Sequence, residues 1–202
     1  MPRPAMPLAH SPRPLRAVLL NGSLSRPSRT QQLLEAIGAA LQDHRPLEIV
    51  SVELADLVPH LGGSLSAQTQ SAAVRQAIAT LGEADLLVVG CPVFRGSLPG
   101  LFKHLLDLVE QDALIGKPVL LAATGGSSRH ALVIDHQLRP LFAFFQTLTL
   151  PIGVYATSAD FADGRIVDPA LAARVRLAAE LAAPALAHLG GPARTGWLEQ
   201  AA

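Results

Sequence analysis

The chain has 202 residues, half of them hydrophobic, enough to bury one substantial core. Lys+Arg and Asp+Glu both number 16, a balance that lacks the basic face a nucleic-acid backbone binder needs. Cys91 is the only cysteine, which excludes an intramolecular disulfide and fits a reducing cytoplasm, and no stretch approaches the roughly 20 apolar residues of a membrane span.

Residues 1–14, MPRPAMPLAHSPRP, hold five prolines and no apolar run, so they read as a disordered tail rather than a signal peptide. Leu15–Asn21 (LRAVLLN) is a short apolar strand ending at Gly22. Ser28–Gln42 has helical spacing through Leu33, Leu34, Ile37 and Leu41, and Leu47–Glu53 alternates as a strand does. Ser66–Leu81 is a weaker amphipathic helix carried by Val74, Ile78 and Leu81. Ala84–Gly90 (ADLLVVG) is nearly all apolar, as a strand buried on both faces should be. Helix Pro99–Val109, strand Pro118–Thr124, helix His130–Gln146, strand Thr149–Ala156 and helix Asp168–Ala187 complete the series. Residues 188–202 read as a flexible C-terminal tail with Trp197 as its one large side chain.

Five strands, each followed by a helix, predict one domain over 15–187: a doubly wound parallel sheet in the order 2-1-3-4-5, with helices on both faces. Ligands of such sheets sit beyond the carboxyl ends of the strands. That rule selects the loops after Asn21, Gly90 and Thr124.

The first loop, Gly22–Thr30, offers the hydroxyls of Ser23, Ser25, Ser28 and Thr30, the guanidiniums of Arg26 and Arg29, and the unpaired amides of a helix start. No carboxylate lies between Asn21 and Glu35, so the set suits a phosphate monoester. Neither GxxxxGK[ST] nor GxGxxG is present. The plainer alternative makes Ser28 a helix N-cap and the rest a polar turn. In the second loop, Pro92, Val93 and Phe94 give flat apolar surface for a heterocycle. Arg95 and Ser97 supply polar groups there, and Gly96 allows close approach. Its alternative has Phe94 as core packing and Arg95 as solvated surface. In the third loop, Thr124, Gly125, Gly126 and Ser127 can form an anion-accepting nest of amides, or simply a flexible turn.

In order, GSLSRPSRT, PVFRGSLPG and TGGS resemble the NAD(P)H-dependent FMN reductases of the flavodoxin-like fold. The stretch from GKPVLLAATGGSSRHALVIDHQLRPLF to LPIGVYA is most similar to the reductase components of two-component alkanesulfonate or methanesulfonate monooxygenase systems. The resemblance spans Leu15–Ala187. It implies that Ser23, Ser25, Arg26, Ser28 and Thr30 hold the FMN phosphate. It places Pro92–Ser97 along the ring and ribityl chain, and Thr124–Ser127 at the pyrimidine edge. Phe94 stands where relatives often have Tyr, which removes a phenol hydrogen bond. It further implies that hydride passes from NADH or NADPH to flavin N5, and that the freed flavin supplies a partner oxygenase. No catalytic side chain is expected, because the cofactor carries the chemistry. The other readings of the same loops are a quinone, azo-dye or chromate reductase that retains FMN, and a flavodoxin-like electron carrier, which the neutral charge disfavours.

Cys91 borders the site and reads as a small apolar side chain without a resolving partner. His104, His130 and His136 do not form a metal set. Helix His130–Gln146 carries a stripe of Ile134, Leu138, Leu141, Phe142 and Phe145, with Leu132, Val133 and Phe144 off it. Such a two-sided apolar helix predicts a homo-oligomer, a dimer or tetramer. Pro140 predicts a kink or π-bulge around His136–Pro140. Relatives carry an irregularity there at a tetramer contact. His136 is therefore expected near the flavin or an interface, unless it is a partly exposed residue beside a structural kink.

Overall fold

The computed structural model describes residues 14–189. Trp197 and all of the two predicted tails except Pro14, His188 and Leu189 lie outside them.

Strands β1 (Leu15–Asn21), β2 (Leu47–Glu53), β3 (Leu86–Pro92) and β4 (Pro118–Gly125) form a parallel sheet. The predicted fifth strand is two short pieces, β5 (Leu148–Thr149) and β6 (Val154–Thr157), both pairing with β4. The order is β2-β1-β3-β4-β5, so the predicted topology stands. Pro151 and Gly153 lie in the break. A Cβ on Gly153 would come within 2.6 Å of Ile134 and 3.0 Å of the Leu121 carbonyl, so the chain passes closer here than a side chain permits.

The alternation of β side chains divides the core into two layers. Val18 and Leu20 face one side with Leu87, Val89, Val119 and Leu121, under helices α2 (Leu54–Leu61), α3 (Ala72–Gly82) and α4 (Gly100–Asp107). Ala17 and Leu19 face the other with Val88 and Leu120, under α1 (Arg29–Gln42) and the last helix, Pro169–His188. Phe102 of α4 is fully buried in the first layer. A side chain of that size contributes about 1.5–3 kcal/mol by leaving water.

Three differences from expectation have local causes. Helix α2 was not anticipated: it follows β2 directly and contains Pro59, yet Leu54, Leu57 and Leu61 give it a buried stripe. The expected helix Ser66–Leu81 begins only at Ala72, where the Ser71 hydroxyl accepts from the Val74 amide at 3.2 Å; a separate 3₁₀ turn occupies Ala67–Thr69. An antiparallel hairpin, β7 (Phe161–Ala162) with β8 (Arg165–Ile166), turns through Asp163 and Gly164 at positive φ.

The stretch expected as helix His130–Gln146 is three pieces. A 3₁₀ turn at Ser128–His130 leads to a π-helical turn at Ile134–Leu138 and then α5 (Arg139–Phe144). The Arg139 amide donates to the Ile134 carbonyl, the five-residue spacing of a π turn. Pro140, which has no amide to donate, follows immediately. The expected irregularity is thus present just before the proline. Counting α5, the final helix Pro169–His188 is α6.

Candidate active site

In the sheet register Asn21 lies beside Gly90, and Pro92 beside Thr124, so the three selected loops leave adjacent strand ends. The Gly22 amide donates to the Gly90 carbonyl at 2.7 Å, and the Val93 amide to the Thr124 carbonyl at 2.7 Å. Thr30 and Thr124, both buried, join the first and third loops through hydroxyls 2.7 Å apart.

Together these loops enclose an open cleft of about 190 Å³. Of the residues expected at the site, Ser23, Ser25, Ser28 and Thr30 line it from the first loop, Pro92 and Val93 from the second, and Thr124, Gly125 and Gly126 from the third. Pro27 and Ser158, which were not singled out, also line it, as does Arg29, the first loop's second guanidinium. Ser158 follows β6, so the strand-end rule that chose the other loops would have pointed to it once the fifth strand's true end was known.

The first loop is shaped from below. Glu53 accepts from Asn21 Nδ2 at 2.7 Å, and Asn21 Oδ1 accepts from the Ser23 amide at 3.0 Å. The Ser25 amide then donates to Ser23 Oγ at 3.3 Å. Burial pushes the Glu53 carboxyl above its ordinary range, against the stabilising hydrogen bond from Asn21 and the nearby charge of Arg26. Ser28 is the N-cap of α1, accepting from the Gln31 amide at 3.2 Å. It therefore fills the capping role and lines the cleft as well. The first amides of α1, at Arg29 and Thr30, have no carbonyl one turn earlier, and the first turn contains no acid. Hydroxyls, free amides and the positive end of a helix dipole converge here, a chemistry suited to an anion. Arg26 is elsewhere: its guanidinium pairs with Asp56 of α2 at 2.7 Å and does not line the cleft.

In the second loop Phe94 and Ser97 exchange both backbone hydrogen bonds, at 2.7 and 2.9 Å, around Arg95 and Gly96. Both central residues have positive φ, 51° and 79°, as a type I′ turn requires. Phe94 is 44% exposed, which corrects the alternative reading of it as core packing, while Arg95 and Gly96 are also exposed. Ser97 is not in the cleft lining and donates to Gln137 Oε1 at 2.6 Å. In the third loop a Cβ on Gly125 would stand 2.1 Å from the Tyr155 hydroxyl, which donates to the Ser127 carbonyl at 2.7 Å. Ser127 Oγ accepts from the Arg129 amide and stays outside the cleft lining.

A family model for NADPH-dependent FMN reductase matches residues 15–162. The chain belongs to this family. The reductase is 58% identical over 172 residues to the NADH-dependent FMN reductase SfnF of Pseudomonas fluorescens, covering 85% of this chain and 92% of that one. It is 53% identical to an FMN reductase (NADPH) of Pseudomonas aeruginosa, over 85% of this chain and 92% of the relative. Among solved structures it superposes on an oxidoreductase from Corynebacterium diphtheriae with a TM-score of 0.78 and 32% identity, covering 87% and 98% of the two chains. The apo form of the NADH:FMN oxidoreductase EMOB gives 0.73 and 30%, covering 82% and 87%. The flavodoxin-like fold and the NAD(P)H:FMN oxidoreductase class expected from the three motifs therefore both hold.

Two other groups lie near the reductase's site. Cys91 is fully buried beneath the second loop, and burial pushes its thiol up to about 12, so it stays protonated and inert. His136 has an exposed side chain, and its neighbour Gln137 is the one that reaches the second loop. Among the described residues no helix is long and apolar enough to cross a membrane.

Proposed function

We propose that the reductase takes FMN into the cleft of the three strand-end loops, reduces it with NADH or NADPH, and releases it to a flavin-dependent monooxygenase acting on sulfonates. The observation that carries the site is the convergence of Ser23, Ser25, Ser28 and Thr30 with the first amides of α1. These groups would hold the phosphate, with Arg29 supplying the cation in place of Arg26. Pro92–Ser97 would lie along the ring, and Thr124–Ser127 at its pyrimidine edge. Bound there, the flavin supplies a hydride acceptor. The protein's part is to orient the two cofactors and exclude water, so no side chain is assigned to acid or base work. The names of relatives, NADH-dependent FMN reductases SfnF and SfnE, support the monooxygenase partner.

Phe144 is 58% exposed and Leu132 59%, although both are large apolar side chains. Lying beside an apolar groove lined by Leu106, Val109, Leu141 and Phe145, Phe144 supports assembly into a dimer or tetramer. The single buried cysteine supports work in a reducing cytoplasm.

The test is steady-state NAD(P)H oxidation with FMN varied. A colourless protein whose rate saturates with added FMN is expected. A yellow protein indifferent to added FMN would replace this reading with that of a flavin-retaining reductase. Ser25→Ala should weaken FMN by about tenfold, the loss of one hydrogen bond to a charged group, and leave riboflavin binding unchanged.

A further inference from the structure

We propose that Gln137 is a positioning residue for the flavin ring, holding the Phe94–Ser97 turn in place through its side-chain amide. The inference rests on the assignment of that turn to the ring.

The two Phe94–Ser97 backbone hydrogen bonds close the turn, but they do not fix its position against the rest of the fold. Arg95 is held at a φ of 51°, a left-handed conformation that a residue with a Cβ adopts only under constraint. Phe94, Arg95 and Gly96 are all exposed, so none of them anchors the turn in the core. One amide meets three successive residues at the turn's far side. Gln137 Oε1 accepts from Ser97 Oγ at 2.6 Å and from the Leu98 amide at 3.3 Å, while Nε2 donates to the Gly96 carbonyl at 3.3 Å. Among the described residues, the hydrogen bonds reaching Phe94–Leu98 from outside the loop all come from Gln137.

The placement of this amide is equally specific. It sits in the π-helical turn, flanked by buried Val133, Ile134 and Leu138. Gln137 is half-buried beside that stripe, and the turn gives its amide three partners. The extra residue of the π turn sets where Gln137 emerges, so the helix irregularity and the ring wall are one construction.

Gln137→Leu suits the apolar stripe and should fold, with its melting temperature close to that of the parent. Binding of FMN and of riboflavin, followed by fluorescence quenching, should weaken by a common factor of about ten, because the lost contacts lie at the ring and not the phosphate. Gln137→Glu keeps both accepting contacts but sets a carboxylate against the Gly96 carbonyl. Its flavin affinity should recover as the pH falls and the acid gains a proton to donate, a profile the parent lacks. Should Gln137→Leu fail to fold, Ser97→Ala removes the shortest of the three bonds and should weaken both flavins alike by about threefold. A folded Gln137→Leu variant that binds both flavins as the parent does, or one that loses FMN alone, overturns the proposal. If Ser25→Ala leaves the preference for FMN over riboflavin unchanged, the site assignment itself fails, and the two failures are told apart.

Discussion

Replacing Gly22 with Ala places a methyl group where two fully buried side chains already stand. The new Cβ would lie 2.6 Å from Phe102 Cδ2 and 2.8 Å from Cys91 Cβ. Ordinary carbon contacts begin near 3.4 Å, so about 0.8 Å must be found at the first contact and about 0.6 Å at the second. The Phe102 ring is packed on all sides, and Cys91 Cβ is fixed to central strand β3. Relief must therefore come from Gly22 itself, which stretches its 2.7 Å bond to the Gly90 carbonyl and displaces Ser23. Overpacking of this kind costs about 2–3 kcal/mol, which in a domain of this size lowers the melting temperature by roughly 4–12 °C. Thermal melts with and without FMN measure both consequences, since the displaced loop should also reduce the shift that FMN produces. Gly62→Ala is the matched control: its Cβ meets nothing within 4 Å, and its φ is −60°. A Gly22→Ala protein that melts within a degree of the parent and gains the same stabilisation from FMN would refute the reasoning.

Thr30→Val leaves the Thr124 hydroxyl without its partner and should cost about 1–3 kcal/mol in urea unfolding. Adding Thr124→Val removes the orphan, so the double variant should lose less than the two single losses together; strict additivity would mean that the 2.7 Å pair carries no coupling. Glu53→Gln tests the buried carboxyl. Because burial raises Glu53 above 4.5, the folded state keeps a proton that the unfolded state has released just above that pH. Stability from this group is therefore full below 4.5 and falls as pH rises through the window to the raised value. The Gln variant keeps an oxygen for Asn21 and should show a flatter dependence of the urea midpoint there, with no loss at neutral pH. An unchanged slope would remove Glu53 as its source.

Most of the scaffold could be read from periodicity because the sheet is buried on both faces. β1 and β2 match their expected limits to the residue, β1 as an apolar run and β2 by its alternation. The elements that escaped are those whose order comes from tertiary contact. Helix α2 is eight residues long and has no loop before it, and β7–β8 is a pair of two-residue strands. In the site, spacing located the donors but not their directions. Arg26 and Arg29 are equivalent in sequence, and only the position of Asp56 on the unanticipated α2 draws Arg26 away. The same blindness affected residues 136 and 137. Pro140 marked the irregular turn, but which side chain faced the loop depended on the rotation that turn introduces.

The Arg26–Asp56 pair has a bearing on ionic strength. With that guanidinium already neutralised, an entering dianion meets hydroxyls, backbone amides and Arg29, which forms no ion pair among the described residues. Attraction through neutral dipoles is short in range and little affected by dissolved salt, whereas a ring of cations would grip more tightly at low salt and loosen at high salt. With Arg29 as its single cation among the described residues, such a hold is firm at contact and weak a few ångströms away, which would suit the release proposed above.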